Sequence, residues 1–118
     1  MFQASQIRVF LASGHTDTDM RKSINGLSIL VARELEMDPL SGHLFVFSNR
    51  LRNLVKILYW DRNGFCLWQK RLEKQFFRWP KDGTDICEID HRQLTWLLDG
   101  LEIHQRQAHS ALNYAAFF

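Results

Sequence analysis

The stretch that most constrains the fold of this chain runs from His43 to Pro80. Residues 43–48, 53–60 and 65–72 are rich in aliphatic and aromatic side chains, and turn-forming residues separate the three runs. Alternation along 53–60 divides its side chains between two faces, as a strand in a sheet requires. Short runs of this composition with turns between them predict antiparallel strands joined by hairpins.

Two reversals organise this stretch. Residues 61–64, Asp-Arg-Asn-Gly, predict a tight hairpin turn in which Gly64 supplies the positive φ. A second reversal at 73–74 leads into a further strand predicted over 75–79, which Pro80 ends. The region is therefore predicted to be an antiparallel β-meander.

Helices flank the predicted meander on both sides. An apolar stripe at helical spacing predicts a long helix over 19–37; its members are Met20, Ile24, Leu27, Val31 and Leu35. Asp90 followed by Gln93 resembles a capping box, which predicts a short helix over 91–99. With a first strand over 7–12, the fold class is predicted as α+β. The sheet should be antiparallel with four to six strands, with the long helix packed on one face and the short C-terminal helix beside it.

Length and composition favour one domain over 1–118, with a tail at 104–118 that is either flexible or helical. The N-terminus lacks the charge and apolar run of a signal peptide, and no segment has the roughly 20 apolar residues of a membrane span. Cys66 and Cys87 form no short-spaced pair. We therefore expect a cytoplasmic protein with reduced thiols, no membrane association and no cofactor.

Candidate catalytic groups are sparse. Asp17 lies just before the predicted long helix and Asp19 at its start, where acidic residues favour the positive end of the helix dipole and need no further function. His104 and His109 are five residues apart, which places them on different faces of a helix, and no Cys-x-x-Cys motif is present. We expect no catalytic residue and no metal site.

The basic residues give a stronger signal. Between His43 and Pro80 the sequence holds eight Lys or Arg against two acidic residues, although the whole chain carries a formal charge of only +2. Those in turns and at strand ends can reach phosphates, and we take six as candidate DNA-binding residues: Arg50, Arg52, Arg62, Lys70, Arg71 and Lys74. The same charges are equally compatible with a solvated sheet face. The four tryptophans are expected in the core rather than as base-stacking platforms.

Four blocks carry a resemblance to a known family: TDMRKSINGLSILV, DPLSGHLFVFSNR, VKILYWDRNGFCLWQKRLEKQFFRWP and LTWLLDGLEI. Together they resemble the small Orf2-like (TnpB) proteins of the insertion-sequence sixty-six family of bacterial transposable elements, over about residues 7–115. In one departure a Thr-Asp pair is duplicated within 16–19, which lengthens the loop before the long helix by two residues. The resemblance implies an accessory role in transposition beside a separate transposase, and it supplies no catalytic residues.

Three hypotheses follow. The first is a non-catalytic accessory protein for DNA transposition that contacts DNA, other proteins of the same element, or both. The second is a protein-interaction module, a homo-oligomer or a bridge to the transposase, without direct DNA contact and using Phe76 and the 114–118 tail. The third is a small metal-dependent nuclease using Asp17, Asp19 and a more distant acidic residue.

Overall fold

The computed structural model describes residues 6–13, 21–80 and 84–104. In chain order its elements are strand β1 Val9–Leu11, helix α1 Ile24–Arg33, strand β2 Leu44–Ser48, strand β3 Leu54–Asp61, strand β4 Gly64–Arg71, strand β5 Cys87–Ile89 and helix α2 His91–Leu98. Over these described ranges the class is α+β, with one five-stranded sheet and two helices.

The sheet has the strand order β4-β3-β2-β1-β5. β2, β3 and β4 form the predicted antiparallel meander, and β3 pairs with β4 along its whole length, from Leu54 opposite Arg71 to Asp61 opposite Gly64. The expectation of a purely antiparallel sheet is wrong, because β1 and β2 are parallel. Helix α1 lies in the connection between them and returns the chain to the end where β1 began, which is what parallel neighbours require.

Helix α1 is shorter than the predicted helix over 19–37. It begins after Ser23, and Glu34 is its C-cap. Glu36 has φ +53, a left-handed conformation that ends the helical path before Pro39. The apolar stripe nevertheless continues, since Leu35 is buried in the same cluster as the helix residues. Residues 19 and 20, and with them the predicted start of the helix, lie outside the described residues.

Alternation along the strands creates two cores, one on each face of the sheet. On β1, Phe10 points to the face covered by α1, and Val9 and Leu11 point to the face covered by α2. The buried α1-side cluster contains Phe10, Ala12, Leu27, Leu30, Val31, Leu35, Phe45, Phe47 and Leu58. The two helices therefore pack on opposite faces, and the prediction that they lie side by side is wrong.

The predicted strand over 75–79 does not form. After β4 the backbone makes two hydrogen bonds to the β2–β3 loop: Leu72 N donates to Asn53 O at 2.8 Å, and Phe77 N donates to Arg52 O at 2.7 Å. These isolated bonds do not form a strand ladder. Phe77 and Trp79 are buried in the α2-side core. Their alternation reflects a segment lying across the sheet face. The fifth strand is instead β5, which the sequence pattern does not predict and which pairs antiparallel with β1.

Local chemistry explains the turns and the short helix. The hairpin between β3 and β4 turns at Arg62, which has φ +53, whereas Gly64 begins β4; the expectation that Gly64 supplies the positive φ is therefore wrong. The capping box of α2 is present: Asp90 Oδ1 accepts from Gln93 N at 2.7 Å, and Gln93 Oε1 accepts from Asp90 N at 3.0 Å. Gly100 follows the helix with φ +82, which favours glycine.

Candidate nucleic-acid interface

The loop between β2 and β3 is held by one side chain, Asn49. Its Oδ1 accepts from Asn53 N and Leu54 N, both at 3.1 Å, and its Nδ2 donates to Asn53 Oδ1 at 2.6 Å. Each such hydrogen bond contributes about 1 kcal/mol, so the loop is fixed at its base. The arrangement leaves Arg50 and Leu51 exposed at the end of the sheet.

Arg52, a candidate DNA-binding residue, is largely committed to the structure. It has φ +62, and its guanidinium donates to Asn49 O at 3.1 Å and lies 5.4 Å from the centroid of the Trp79 ring. Its backbone oxygen also accepts the hydrogen bond from Phe77. Arg52 therefore adds positive charge to this end of the sheet, but its side chain mainly anchors the loop over Trp79.

The end of β4 supplies three further candidates. Lys70 is half-buried, and its Nζ donates to Leu98 O at 2.8 Å, which satisfies a terminal carbonyl of α2. Arg71 is exposed and forms a 3.1 Å ion pair with Glu73, also exposed. Lys74 follows and is exposed. Exposed ion pairs are weak, so the pairing with Glu73 costs Arg71 little of its ability to contact a phosphate.

Strand register decides which candidates come together. Because Leu54 pairs with Arg71, the β2–β3 loop and the end of β4 lie at the same end of the sheet. We call Arg50, Arg71 and Lys74 the basic end, since their charged groups are exposed there. Arg62 lies beyond the opposite end of β3, an eight-residue strand, at a distance of roughly 23 Å. The structure thus brings five candidates together and separates Arg62 from them.

Two large apolar side chains adjoin the basic end. Leu51 is 67% exposed and Phe76 is 62% exposed. The hydrogen bond from Phe77 to Arg52 brings their two segments alongside each other. Phe76 also lines a cleft of about 580 Å³ with Gly100 and Leu101. Exposed apolar groups beside cations are suited to contacts with bases or with another protein.

A different cleft, of about 410 Å³, lies at the opposite end beside Arg62. Its lining includes His43, Tyr59 and Asp61. Burial and a hydrogen bond with Cys66 raise the pKa of Tyr59, so its phenol stays neutral at physiological pH and is unsuited to act as a base. The described residues do not define an acid–base or nucleophile arrangement at this cleft.

Most acidic residues of the described ranges have structural partners. Glu88 forms a 2.6 Å ion pair with Arg8, and this interaction lowers the pKa of Glu88. Asp90 caps α2. Asp17 and Asp19, the acids of the nuclease hypothesis, lie outside the described residues, as does the Thr-Asp duplication within 16–19. Within the described ranges no group of three or more His, Cys, Asp or Glu could hold a metal ion.

The tryptophans do not share one environment. Trp79 is buried, Trp60 and Trp96 are half-buried, and Trp68 on β4 is 41% exposed. Trp68 therefore departs from the expectation of a core residue. Cys66 and Cys87 are both half-buried. Sequence reasoning missed Asn49 as the residue that positions Arg50, although two asparagines flanking a basic loop are a turn-forming signal.

Fold and site together define a small α+β protein whose most distinctive surface is a cationic sheet end with adjoining apolar groups. The family of the IS66 Orf2 like protein matches residues 7–108, and the chain belongs to this family. Membership supports an accessory role in the transposition of an insertion sequence, and the family is not known to be catalytic.

Two curated relatives come from Sinorhizobium fredii (strain NBRC 101917 / NGR234). The uncharacterized protein y4hO is 40% identical over 96 residues, which cover 81% of this chain and 82% of y4hO. The uncharacterized protein y4jC is 33% identical over 96 residues, covering 81% and 80% of the two chains. No solved structure matches the chain. Neither helix of the described part has the length and apolar character to cross a membrane.

Proposed function

We propose that the chain is a non-catalytic accessory protein for transposition that contacts DNA phosphates through the basic end. The observation that carries this proposal is the convergence of Arg50, Arg71 and Lys74 at one end of the sheet. Arg52 and Lys70 add positive charge from anchored positions. Since transposition acts on cellular DNA, the proposed role places the protein in the bacterial cytoplasm.

The geometry suits backbone contacts better than base readout. The three residues are long and exposed: Arg50 lies in a tightly bonded loop, Arg71 ends β4, and Lys74 lies in the segment that follows. Such groups bind phosphates without reading sequence. Helices α1 and α2 each carry a single arginine, Arg33 and Arg92, whereas a recognition helix presents a row of exposed side chains to the major groove. We therefore propose non-specific contact, with specificity for the element supplied by its other proteins.

Salt dependence of DNA binding tests this proposal. Three phosphate contacts on duplex DNA predict that log K falls with log salt concentration with a slope of roughly −2.7. Fluorescence anisotropy with a terminal inverted-repeat duplex and an unrelated duplex of equal length should give similar affinities and this slope. Absence of binding to both duplexes at about 50 mM salt would remove the DNA role.

The exposed Leu51 and Phe76 favour a second candidate, docking of another protein of the same element. Phe76→Ser should then reduce co-purification with that protein, whereas Ile29→Ser, on an exposed position of α1, should leave it unchanged. Phe76 is exposed, so the substitution should not unfold the chain. If both variants co-purify with the element's proteins as the wild type does, Phe76 is not the docking site.

A further inference from the structure

β4 is an edge strand of the sheet that the described residues form. Leu72 N donates to Asn53 O, and this bond fixes the alternation of the β3–β4 ladder. The backbone N–H and C=O groups of residues 64, 66, 68 and 70 form hydrogen bonds with β3. The same groups of the alternate residues point outward, and these residues are Phe65, Leu67, Gln69 and Arg71. Within the described residues, no other segment pairs with this edge.

The two edges of the sheet differ in how they are protected. β5 has three residues, and short edge strands limit unwanted pairing. β4 has eight residues in unbroken register with β3, without proline or bulge, and its first six residues are uncharged. Long edges of this kind are templates for another strand.

We infer that β4 pairs antiparallel with β4 of a second copy of this chain, around a two-fold axis at Trp68. This register uses all four outward residues, since Phe65 pairs with Arg71 of the second copy and Leu67 pairs with Gln69. The axis stands perpendicular to the sheet, so each face of one copy continues into the same face of the other. The product is a ten-stranded sheet.

Charge and burial favour a second copy as the occupant. Trp68 is 41% exposed on β4, and the axis places the two Trp68 side chains directly opposite each other, where each covers the other. Lys70 and Arg71 face the uncharged Cys66 and Phe65 of the second copy, so no like charges are opposed. The cationic end of each strand thus meets the neutral end of its partner.

This inference does not rest on DNA binding, although it has a consequence for it. The two Arg71 residues lie three positions on either side of the axis, so they are separated by roughly 20 Å along the strands. The dimer would present one basic end on each side of its axis. Loss of dimerisation and loss of DNA contact are measured separately, and either can fail alone.

Light scattering on the purified chain tests the dimer. The wild type should show twice the chain mass, and Gln69→Pro should show the mass of one chain, because proline removes an outward N–H without removing a bond to β3. Gln69→Val keeps the N–H and should remain dimeric. A monomeric wild type, or a Gln69→Pro variant that is folded by circular dichroism and still dimeric, would overturn the proposal.

Cross-linking tests the strand register of the dimer without the proline variant, so the result does not depend on whether that variant folds. In a Cys66→Ser, Cys87→Ser background, Trp68→Cys should form a disulfide-linked dimer on oxidation, since residues facing each other at this axis have Cα atoms about 4.5 Å apart. Gln69→Cys should form no such disulfide, because residue 69 faces Leu67 of the second copy and the Cα atoms of the two residues 69 lie more than about 7 Å apart. Equal cross-linking of the two variants, or of neither, would contradict the register.

Discussion

Replacing Arg50, Arg71 and Lys74 together by glutamine should weaken duplex DNA binding by roughly 10²–10³-fold at low salt. These side chains are the exposed cations of the basic end, and phosphate contacts release counterions in proportion to their number. The same triple variant should also lose most of the salt dependence. Anisotropy titrations over a range of salt concentrations measure both effects.

The chain offers a control with the same change in charge. Arg33, Arg62 and Arg92 lie at the opposite end: His91 Nε2 is 2.8 Å from Ile7 O at the start of β1, and α1 leads into the 40–43 loop lining the cleft beside Arg62. The corresponding triple glutamine variant should change affinity by less than about tenfold. Equal losses in the two triples would show that net charge, rather than the basic end, determines binding.

Phe45→Ala should lower the free energy of unfolding by about 3–5 kcal/mol, the usual cost of truncating a fully buried phenylalanine. Phe45 is 0% exposed on strand β2, near the middle of the sheet, and stacks on Phe10 with ring centroids 5.9 Å apart. The β1–β2 pair and helix α1 meet at this side chain. Urea denaturation monitored by circular dichroism measures the loss.

Phe76→Ala is the matched control, since it removes the same atoms from a side chain that is 62% exposed. Its cost should stay within about 0.5–1 kcal/mol. If both truncations destabilise the chain equally, the α1-side cluster is not the core that holds the parallel pair.

Strand alternation and turn chemistry were sufficient to predict the β3–β4 hairpin, because both signals are local. The capping box at Asp90 was predicted for the same reason. The length of α1 was not predicted correctly, because Leu35 continues the apolar stripe although the backbone has left the helix by Glu36. Periodicity reports which side chains face the core, and the same side chains can be buried from a non-helical segment.

Local sequence patterns do not predict which distant strands pair or in which direction they run. Nothing in residues 9–11 indicates whether β1 runs parallel or antiparallel to β2, and β5 is a three-residue strand with a glutamate at its centre. Phe77 and Trp79 are spaced as alternate residues of a strand would be, but their segment packs across the face of the sheet.

The candidate site was predicted in part. The concentration of charge was visible in the sequence, and the register places five of the six candidates at one end of the sheet. The separation of Arg62 by the length of β3 requires the strand bounds. The contact of Arg52 with the Trp79 ring and the hydrogen bond from Lys70 to Leu98 O cannot be predicted without the side-chain geometry. Contact with DNA by any of the six stays a prediction.

The main proposal is that the basic end acts in transposition. Its most direct test is the transposition frequency of an element that depends on this chain, supplied as wild type, as the Arg50/Arg71/Lys74 glutamine triple, or as the Arg33/Arg62/Arg92 glutamine triple at matched protein levels. The first triple should reduce the frequency by at least roughly tenfold, and the second should leave it near the wild-type value. A wild-type frequency with the first triple would show that the basic end has no part in transposition.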